Sequence, residues 1–145
     1  MAISSKTEEA LLQIGVQKAK NYEQLFSEAD VISLHCPLTD DTHHIINQER
    51  LTLMKSTAII INPGRGPLLD EKAVAEALST KKIYAVGIDV LTEEPPLKGS
   101  PLISAPRCYI TPHIAWASKA ARRRLIDIAI SNVKAFACRE PQNQV

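Results

Sequence analysis

The sequence predicts an α/β fold, a parallel sheet with flanking helices, and two observations carry this prediction. Short apolar segments rich in β-branched residues alternate along the chain with segments whose apolar residues recur at helical spacing. The apolar segments are nearly continuous, as in strands that are buried on both faces of a parallel sheet. Such alternation is typical of βαβ units. At 145 residues, 45% of them apolar and 23% charged, the chain suits one domain over residues 1–145.

The elements follow from the apolar periodicity and from the turn residues that bound it. The predicted strands are residues 31–36, 57–63, 84–90 and 108–112. The predicted helices are residues 5–15, 22–29, 46–54, 70–80 and about 118–137. In the fourth helix Val74, Ala77 and Leu78 form the apolar stripe, and acidic residues occupy the first turn, where the helix dipole favours them. The last helix has a longer stripe, made of Leu125, Ile128, Ala129, Val133 and Phe136.

The carboxyl ends of the strands are where a parallel sheet binds its ligands. In this chain those ends are residues 37–42, 62–66, 89–94 and 111–113. We therefore expect the functional residues in these four segments. The proline-containing stretch after the third predicted strand, residues 96–106, is expected to be an irregular connection inside the domain.

Charge and composition exclude several classes of partner. The formal net charge is +1, so neither nucleic acid nor an anionic membrane is the expected partner. No apolar run approaches the roughly 18 residues of a membrane span. The amino terminus lacks the apolar segment of a signal peptide. Three widely spaced cysteines without a Cys-x-x-Cys pair indicate a reduced, cytoplasmic protein.

The stretch "INPGRGPLLDE", residues 61–71, allows three interpretations. A phosphate-binding loop is disfavoured, because Leu69 occupies the position of the third glycine and Pro67 has no amide hydrogen. An ordinary turn would use its glycines for positive φ and point Arg65 at water. The third interpretation gives Arg65 a chemical role. It gains weight because Glu94 and His113 follow other strands at the same predicted edge. A guanidinium binds a carboxylate through two hydrogen bonds, and a His–Glu pair can move a proton.

Four ordered motifs resemble those of the D-isomer-specific 2-hydroxyacid dehydrogenases. They are "VISLHCPLTDDTHHIIN", "INPGRGPLLDE", "VGIDVLTEEPP" and "ITPHIAWAS". The resemblance covers roughly residues 10–143 and looks closest to the bacterial glycerate dehydrogenase (hydroxypyruvate reductase) branch. It implies a Rossmann-like domain, an oxidoreductase that interconverts D-2-hydroxy acids and 2-oxo acids, and NAD or NADP as cofactor.

The resemblance also implies roles for individual residues. Arg65 would bind the substrate carboxylate and His113 would donate a proton to the carbonyl oxygen, with Glu94 as the hydrogen-bonding partner that favours the protonated imidazole. The residues assigned to the cofactor are Pro37 and Thr42, in the loop that passes its adenosine and phosphates, Asp89, beside the nicotinamide carboxamide, and Asn62. The expected small-molecule partner is a 2-hydroxy or 2-oxo acid.

The chain departs from the family pattern in one respect. None of its five glycines forms G-x-G-x-x-G, and the strands that surround that loop in the family have no counterpart here. We therefore expect a partial NAD-binding domain that binds its cofactor weakly. We also expect a homo-oligomer, because the sheet edge would be uncovered. The rival hypothesis is a catalytically inactive fragment that self-associates or binds a partner.

The adjacent histidines His43 and His44 raise the question of a metal site. No third ligand lies at zinc-like spacing, so no metal is expected, and the two histidines are predicted to face solvent at the start of a helix.

Overall fold

Four parallel strands form the sheet of this protein, whose computed structural model describes residues 1–144. The chain divides into two units, the first spanning Met1–Pro112 and the second beginning at His113. The sheet belongs to the first unit. Its strands are β1 (Val31–Ser33), β2 (Ile59–Asn62), β3 (Ala85–Ile88) and β4 (Cys108–Ile110), in the spatial order β1-β2-β3-β4. All three pairings are parallel, so the predicted fold class is confirmed.

Four helices accompany the sheet in the first unit, and each begins where a side chain caps it. They are α1 (Glu8–Leu12), α2 (Tyr22–Glu28), α3 (Gln48–Leu53) and α4 (Glu71–Ser79). Thr7, Asn21, Asn47 and Asp70 are the capping residues, and the side chain of each accepts a hydrogen bond from a backbone amide of the first turn. These helices are shorter than predicted, and where the start differs, at α1, α3 and α4, it follows the capping residue.

The connections between strands match the predicted alternation. Helix α3 lies between β1 and β2, and α4 lies between β2 and β3. Residues 89–107, which join β3 to β4, contain turns and bends but no helix, as expected for this stretch. Each carboxyl end therefore opens into a loop at the same edge of the sheet, since the strands run in one direction.

The core of the first unit surrounds the two central strands. Ile60 of β2 and Val86 of β3 are fully buried, and Phe26, Leu51 and Leu78 bring three helices onto them. The expectation that every strand is buried on both faces was wrong for the outer two. Val31 in β1 is 57% exposed and Tyr109 in β4 is 69% exposed. These strands pair on one side only within the described sheet, so fewer elements cover them.

The second unit contains one long helix, α5 (Lys119–Ala137), capped by Ser118. The predicted apolar stripe is present on this helix, but no residue of α5 is buried. Phe136, for example, is 76% exposed. Over residues 1–144, no helix combines the length and the apolar character that crossing a membrane requires.

Candidate functional site

The turn after β2 is organised by a buried asparagine. Asn62 has no solvent exposure, and its Oδ1 accepts a hydrogen bond from the amide of Gly64 at 3.1 Å. Its Nδ2 donates to the carbonyl oxygen of Arg65 at 2.8 Å. With both ends of the amide group satisfied inside the turn, the backbone from 62 to 66 is held in one shape. The side chain of Arg65 is exposed, and its Nη1 donates to the carbonyl of Gly64 at 2.9 Å.

The glycines of this turn do not have the backbone conformation that the ordinary-turn interpretation requires. Neither Gly64 nor Gly66 has a positive φ. Instead, a methyl group on Gly66 would lie 2.1 Å from the carbonyl carbon and oxygen of Leu91 and 2.4 Å from the amide nitrogen of Thr92. Gly66 is therefore required for the close approach of two backbones. It brings the loop that carries Arg65 against the loop that carries Glu94.

The same turn differs from a phosphate-binding loop. Residues Gly66–Leu68 form a single 3-10 turn, and α4 begins only at Glu71. In a phosphate loop the helix follows the glycines directly and points its free amides at the anion. The geometry thus disfavours a phosphate-binding loop here, and the role of Arg65 stays a prediction.

The loop after β3 carries two carboxylates at different depths. Asp89 is 6% exposed, and its Oδ1 accepts a hydrogen bond from the hydroxyl of Thr111 at 2.5 Å. Its amide also donates to the carbonyl of Asn62 at 3.0 Å, which links the ends of β2 and β3. Glu94 is exposed, and its Oε1 accepts from the amide of Leu91 at 2.8 Å. Residues 91–94 consequently form a small closed loop with a carboxylate at the surface.

The loop after β1 contains Pro37 and Thr42, two of the residues that the family resemblance assigns to the cofactor. The hydroxyl of Thr42 donates to the carbonyl of Pro37 at 2.7 Å and accepts from the amide of Thr39, also at 2.7 Å. One threonine side chain thus closes the loop of residues 37–42 at the carboxyl end of its strand. Pro37 and Thr42 therefore lie in one local structure, and their assignment to the cofactor stays a prediction.

His113 is the first residue of the second unit, and its backbone is unusual. Its φ is +53°, in the left-handed region that residues other than glycine seldom adopt. The indole Nε1 of Trp116 donates to the carbonyl oxygen of His113 at 2.9 Å. Strained conformations of this kind concentrate at functional sites, where the surrounding structure maintains them. This hydrogen bond of Trp116 could not be predicted from the sequence, because a side-chain bond to a backbone carbonyl leaves no residue pattern.

The structure therefore brings together only some of the predicted site residues. It places Arg65 and Glu94 on two loops of the first unit that touch through Gly66. It places His113 in the second unit. Asn62, whose side chain is engaged within its turn, and Asp89 lie at the ends of the two central strands.

One carboxylate that contacts the loop of Glu94 was not recognised from the sequence. Glu71, the first residue of α4, accepts hydrogen bonds from the amide of Thr92 at 2.7 Å and from the hydroxyl of Ser100 at 2.5 Å. Burial, and secondly the Glu71 carboxylate, raise the pKa of the half-buried Cys108 thiol from 9.0 to about 11. Cys108 is therefore a neutral thiol at physiological pH, with little nucleophilic character.

The paired histidines lie in a turn and not at a helix start, so that part of the prediction was wrong. Their rings stack with centroids 3.9 Å apart, whereas α3 begins only at Gln48. His44 adopts a φ of +50° and donates its amide to the carbonyl of Pro67, which explains why the chain turns here before the helix. Within the described part of the chain, no three His, Cys, Asp or Glu side chains come together as a metal-binding group.

Solved structures of similar fold support the Rossmann-like fold class described above. Among solved structures, the NAD-complexed D-isomer-specific 2-hydroxyacid dehydrogenase from Lactobacillus delbrueckii ssp. bulgaricus superposes with a TM-score of 0.86 at 26% identity. The match covers 99% of this chain and 47% of that one. An acyclic imino acid reductase in complex with NADPH and D-Arg gives a TM-score of 0.82 at 34% identity, over 90% of this chain and 41% of that one.

The family follows from sequence. Residues 1–115 match the family model described as D-isomer specific 2-hydroxyacid dehydrogenase, NAD binding domain. A hydroxypyruvate reductase from Blautia hydrogenotrophica is 46% identical over 123 residues, which is 85% of this chain and 38% of that protein. A glycerate dehydrogenase from Methylorubrum extorquens is 46% identical over 125 residues, 85% of this chain and 40% of that protein. The chain belongs to the D-isomer-specific 2-hydroxyacid dehydrogenase family, in its NAD-binding domain, and spans less than half the length of these relatives.

Proposed function

We propose that this chain is the cofactor-binding part of an NAD- or NADP-dependent oxidoreductase that interconverts D-2-hydroxy acids and 2-oxo acids. Its substrates would be of the glycerate and hydroxypyruvate kind. The observation that carries the proposal is the contact between two strand-end loops that bear Arg65 and Glu94, in a chain of this family. Two relatives at 46% identity are a hydroxypyruvate reductase and a glycerate dehydrogenase, which supports the choice of substrate class.

In this proposal three side chains share the work on the substrate. The exposed guanidinium of Arg65 binds the carboxylate of the 2-oxo acid through two hydrogen bonds. The imidazole of His113 donates a proton to the carbonyl oxygen as it becomes an alcohol. The carboxylate of Glu94 accepts a hydrogen bond from that imidazole and stabilises its protonated form. The strained backbone of His113 and its bond to Trp116 support a role that needs one fixed orientation.

We assign the strand-end loops of the first unit to the cofactor. The reduced nicotinamide supplies the hydride when it is bound. The buried carboxylate of Asp89 would accept a hydrogen bond from the carboxamide, and the closed loop of Pro37 and Thr42 would pass the adenosine and phosphates. We assign Asn62 a supporting role in the same region through its hold on the turn. The chain has no G-x-G-x-x-G loop for the pyrophosphate, so its own contacts provide only part of a binding site.

A second candidate function is supported by helix α5. Its apolar stripe is exposed, with Val133 at 69% and Leu125 at 62%. An apolar face of this size favours self-association, so we propose that the chain forms a homo-oligomer. The alternative hypothesis, a catalytically inactive chain that self-associates or binds a partner, depends on the same face. The three free cysteines support a reducing, cytoplasmic location.

The experiment that tests the proposed activity joins this chain to the part of the Methylorubrum extorquens glycerate dehydrogenase that it does not span. Reduction of hydroxypyruvate and glyoxylate is followed through the loss of NADH or NADPH absorbance. In the joined protein His113→Ala should lower kcat by about 10²–10⁴-fold, the usual range for loss of a general acid. Arg65→Lys keeps the charge but loses the planar fork, so KM for the 2-oxo acid should rise while affinity for NADH is retained.

The matched control is Arg122→Lys, an exposed arginine of α5 to which the proposal gives no role. It should leave both kcat and KM unchanged. If Arg65→Lys weakens NADH as much as substrate, the arginine belongs to the cofactor and the assignment is wrong. A joined protein without activity toward either oxo acid would favour the non-catalytic alternative.

A further inference from the structure

The loop that carries Glu94 is fastened at two consecutive backbone amides by two different carboxylates. The amide of Leu91 donates to Oε1 of Glu94 at 2.8 Å, and the amide of Thr92 donates to Oε1 of Glu71 at 2.7 Å. The second oxygen of Glu71 accepts from the hydroxyl of Ser100 at 2.5 Å. Glu71 therefore holds the loop near its start, at Thr92, and near its end, at Ser100.

Glu71 itself stands on an anchored part of the fold. The side chain of Asp70 caps α4 through the amides of Lys72 and Ala73, both at 3.1 Å. The amide of Asp70 donates to the carbonyl of Ile46, a residue with no solvent exposure. One turn later Val74 is fully buried. The first turn of α4 is thus fixed to the core, whereas residues 92–95 and 97–98 are exposed and lie in turns and bends.

The same loop is in close contact with the loop that carries Arg65. A methyl group on Gly66 would overlap the backbone of Leu91 and Thr92, the two residues whose amides the carboxylates hold. Arg65 precedes Gly66 directly, and Asn62 fixes the carbonyl of Arg65 from the other side. The positions of the guanidinium and of the Glu94 carboxylate are consequently linked through one small region of backbone.

We propose that Glu71 is a positioning residue, which holds the loop of residues 91–100 against Gly66 and thereby sets where Glu94 stands relative to Arg65. The inference rests on the proposed function only for the roles of Arg65 and Glu94. The positioning itself is a property of the 145-residue chain and needs neither cofactor nor substrate to be measured. Glu71 contributes through two hydrogen bonds to a charged oxygen pair, which are among the stronger polar contacts in proteins.

The experiment measures amide hydrogen exchange by NMR at Leu91 and Thr92 in the full 145-residue chain. Glu71→Ala removes both hydrogen bonds, and exchange at the two amides should rise by about tenfold to a hundredfold, as expected for the loss of hydrogen bonds to a charged group. The amide of Leu91 is the decisive reporter, because it bonds to Glu94 and not to Glu71. A faster exchange there shows that the closed loop of Glu94 loosens when its support is removed.

The conservative variant Glu71→Gln separates positioning from charge. Its amide oxygen can still accept from Thr92, and its NH₂ group can donate to the Ser100 hydroxyl, so exchange at Leu91 should remain near that of the wild type. The charge is nevertheless lost, and the pKa of Cys108 should fall, because the Glu71 carboxylate is the second of the two causes that raise it. Alkylation of Cys108 by iodoacetamide across pH measures this in a background where Cys36 and Cys138 are replaced by Ser.

Control variants decide between a local and a general effect. Glu76→Ala removes an exposed glutamate from the same helix and should leave exchange at both reporters unchanged. Ser100→Ala releases one oxygen of Glu71, and with it the amide of Leu102, while the bond of Glu71 to Thr92 is retained, so exchange at Leu91 should increase less than in Glu71→Ala. This variant keeps the test decisive if Glu71→Ala does not fold.

Three results would overturn the inference: unchanged exchange at Leu91 in both Glu71→Ala and Ser100→Ala, an equal effect of Glu76→Ala, or a loss of protection in Glu71→Gln as large as in Glu71→Ala. Failure of the proposed function would look different. In that case the joined protein would reduce no oxo acid, while the exchange pattern would stay as expected.

Discussion

Gly66→Ala tests the contact that joins the two candidate active-site loops. The added methyl carbon would lie 2.1 Å from the carbonyl carbon and oxygen of Leu91, whereas ordinary contacts begin at 3.4 Å. The loops would have to separate by about 1.3 Å to restore an ordinary contact. The obstructing atoms belong to the backbone, so no side-chain rotation can relieve the overlap. Forced insertion of a methyl group into a packed region costs about 1–3 kcal/mol.

Part of this cost is offset in the unfolded chain. Replacement of glycine by alanine reduces the freedom of the unfolded state and stabilises the fold by about 0.4–1 kcal/mol where the backbone permits it. The net expected loss is therefore about 1–2 kcal/mol of unfolding free energy. With a urea dependence of about 1–3 kcal/mol per molar for small proteins, the unfolding midpoint should fall by roughly 0.5–1 M. Far-UV circular dichroism during urea titration measures it.

Gly64→Ala is the matched control, because it lies on the other side of Arg65 in the same turn. A methyl group there would come no closer than 3.4 Å to its neighbours, the side chains of Asn62 and Leu68. We expect the midpoint of this variant to rise by roughly 0.2–0.5 M relative to the wild type, since only the stabilising unfolded-state effect of about 0.4–1 kcal/mol remains. Equal midpoints for Gly66→Ala and the wild type, or equal losses for the two glycine variants, would refute the argument from close approach.

Three further predictions concern the isolated chain. NADH should bind with a Kd above 1 µM, because this sequence has no glycine-rich loop for the pyrophosphate. Calorimetry measures the Kd, and a value near 1 µM, about −8 kcal/mol, would contradict the prediction. Light scattering during size-exclusion chromatography should show a dimer or larger species, and Val133→Asp should shift it toward the monomer. A wild-type protein that stays monomeric at high concentration would contradict this prediction. The raised pKa of Cys108 stabilises the fold below pH 9.0, and this contribution should be lost as the pH rises toward about 11. Urea midpoints at pH 8 and 10.5 should differ less in Cys108→Ala than in the wild type, and an identical pH dependence in both proteins would exclude the effect.

The sequence determined the class of fold and the places where function should be sought. Short β-branched runs and helical stripes predict parallel strands and helices because those patterns report burial, which local spacing can express. The family was also readable, since its motifs are contiguous and lie at strand ends. Helix lengths were overestimated, because apolar spacing does not mark the exact ends; Asp70, for example, caps its helix and is not its first residue.

The tertiary structure determined the contacts between segments that are distant in sequence. The need for glycine at position 66 arises from the backbone of Leu91 and Thr92, about 25 residues further along, so no local turn rule could supply it. Glu71 looked like an ordinary first-turn acid of a helix until Thr92 and Ser100 were found to donate to it. The apolar stripe of α5 could be predicted from the sequence, but its exposure could not. Periodicity tells which face of a helix is apolar, whereas only the arrangement of the other elements determines whether that face is covered.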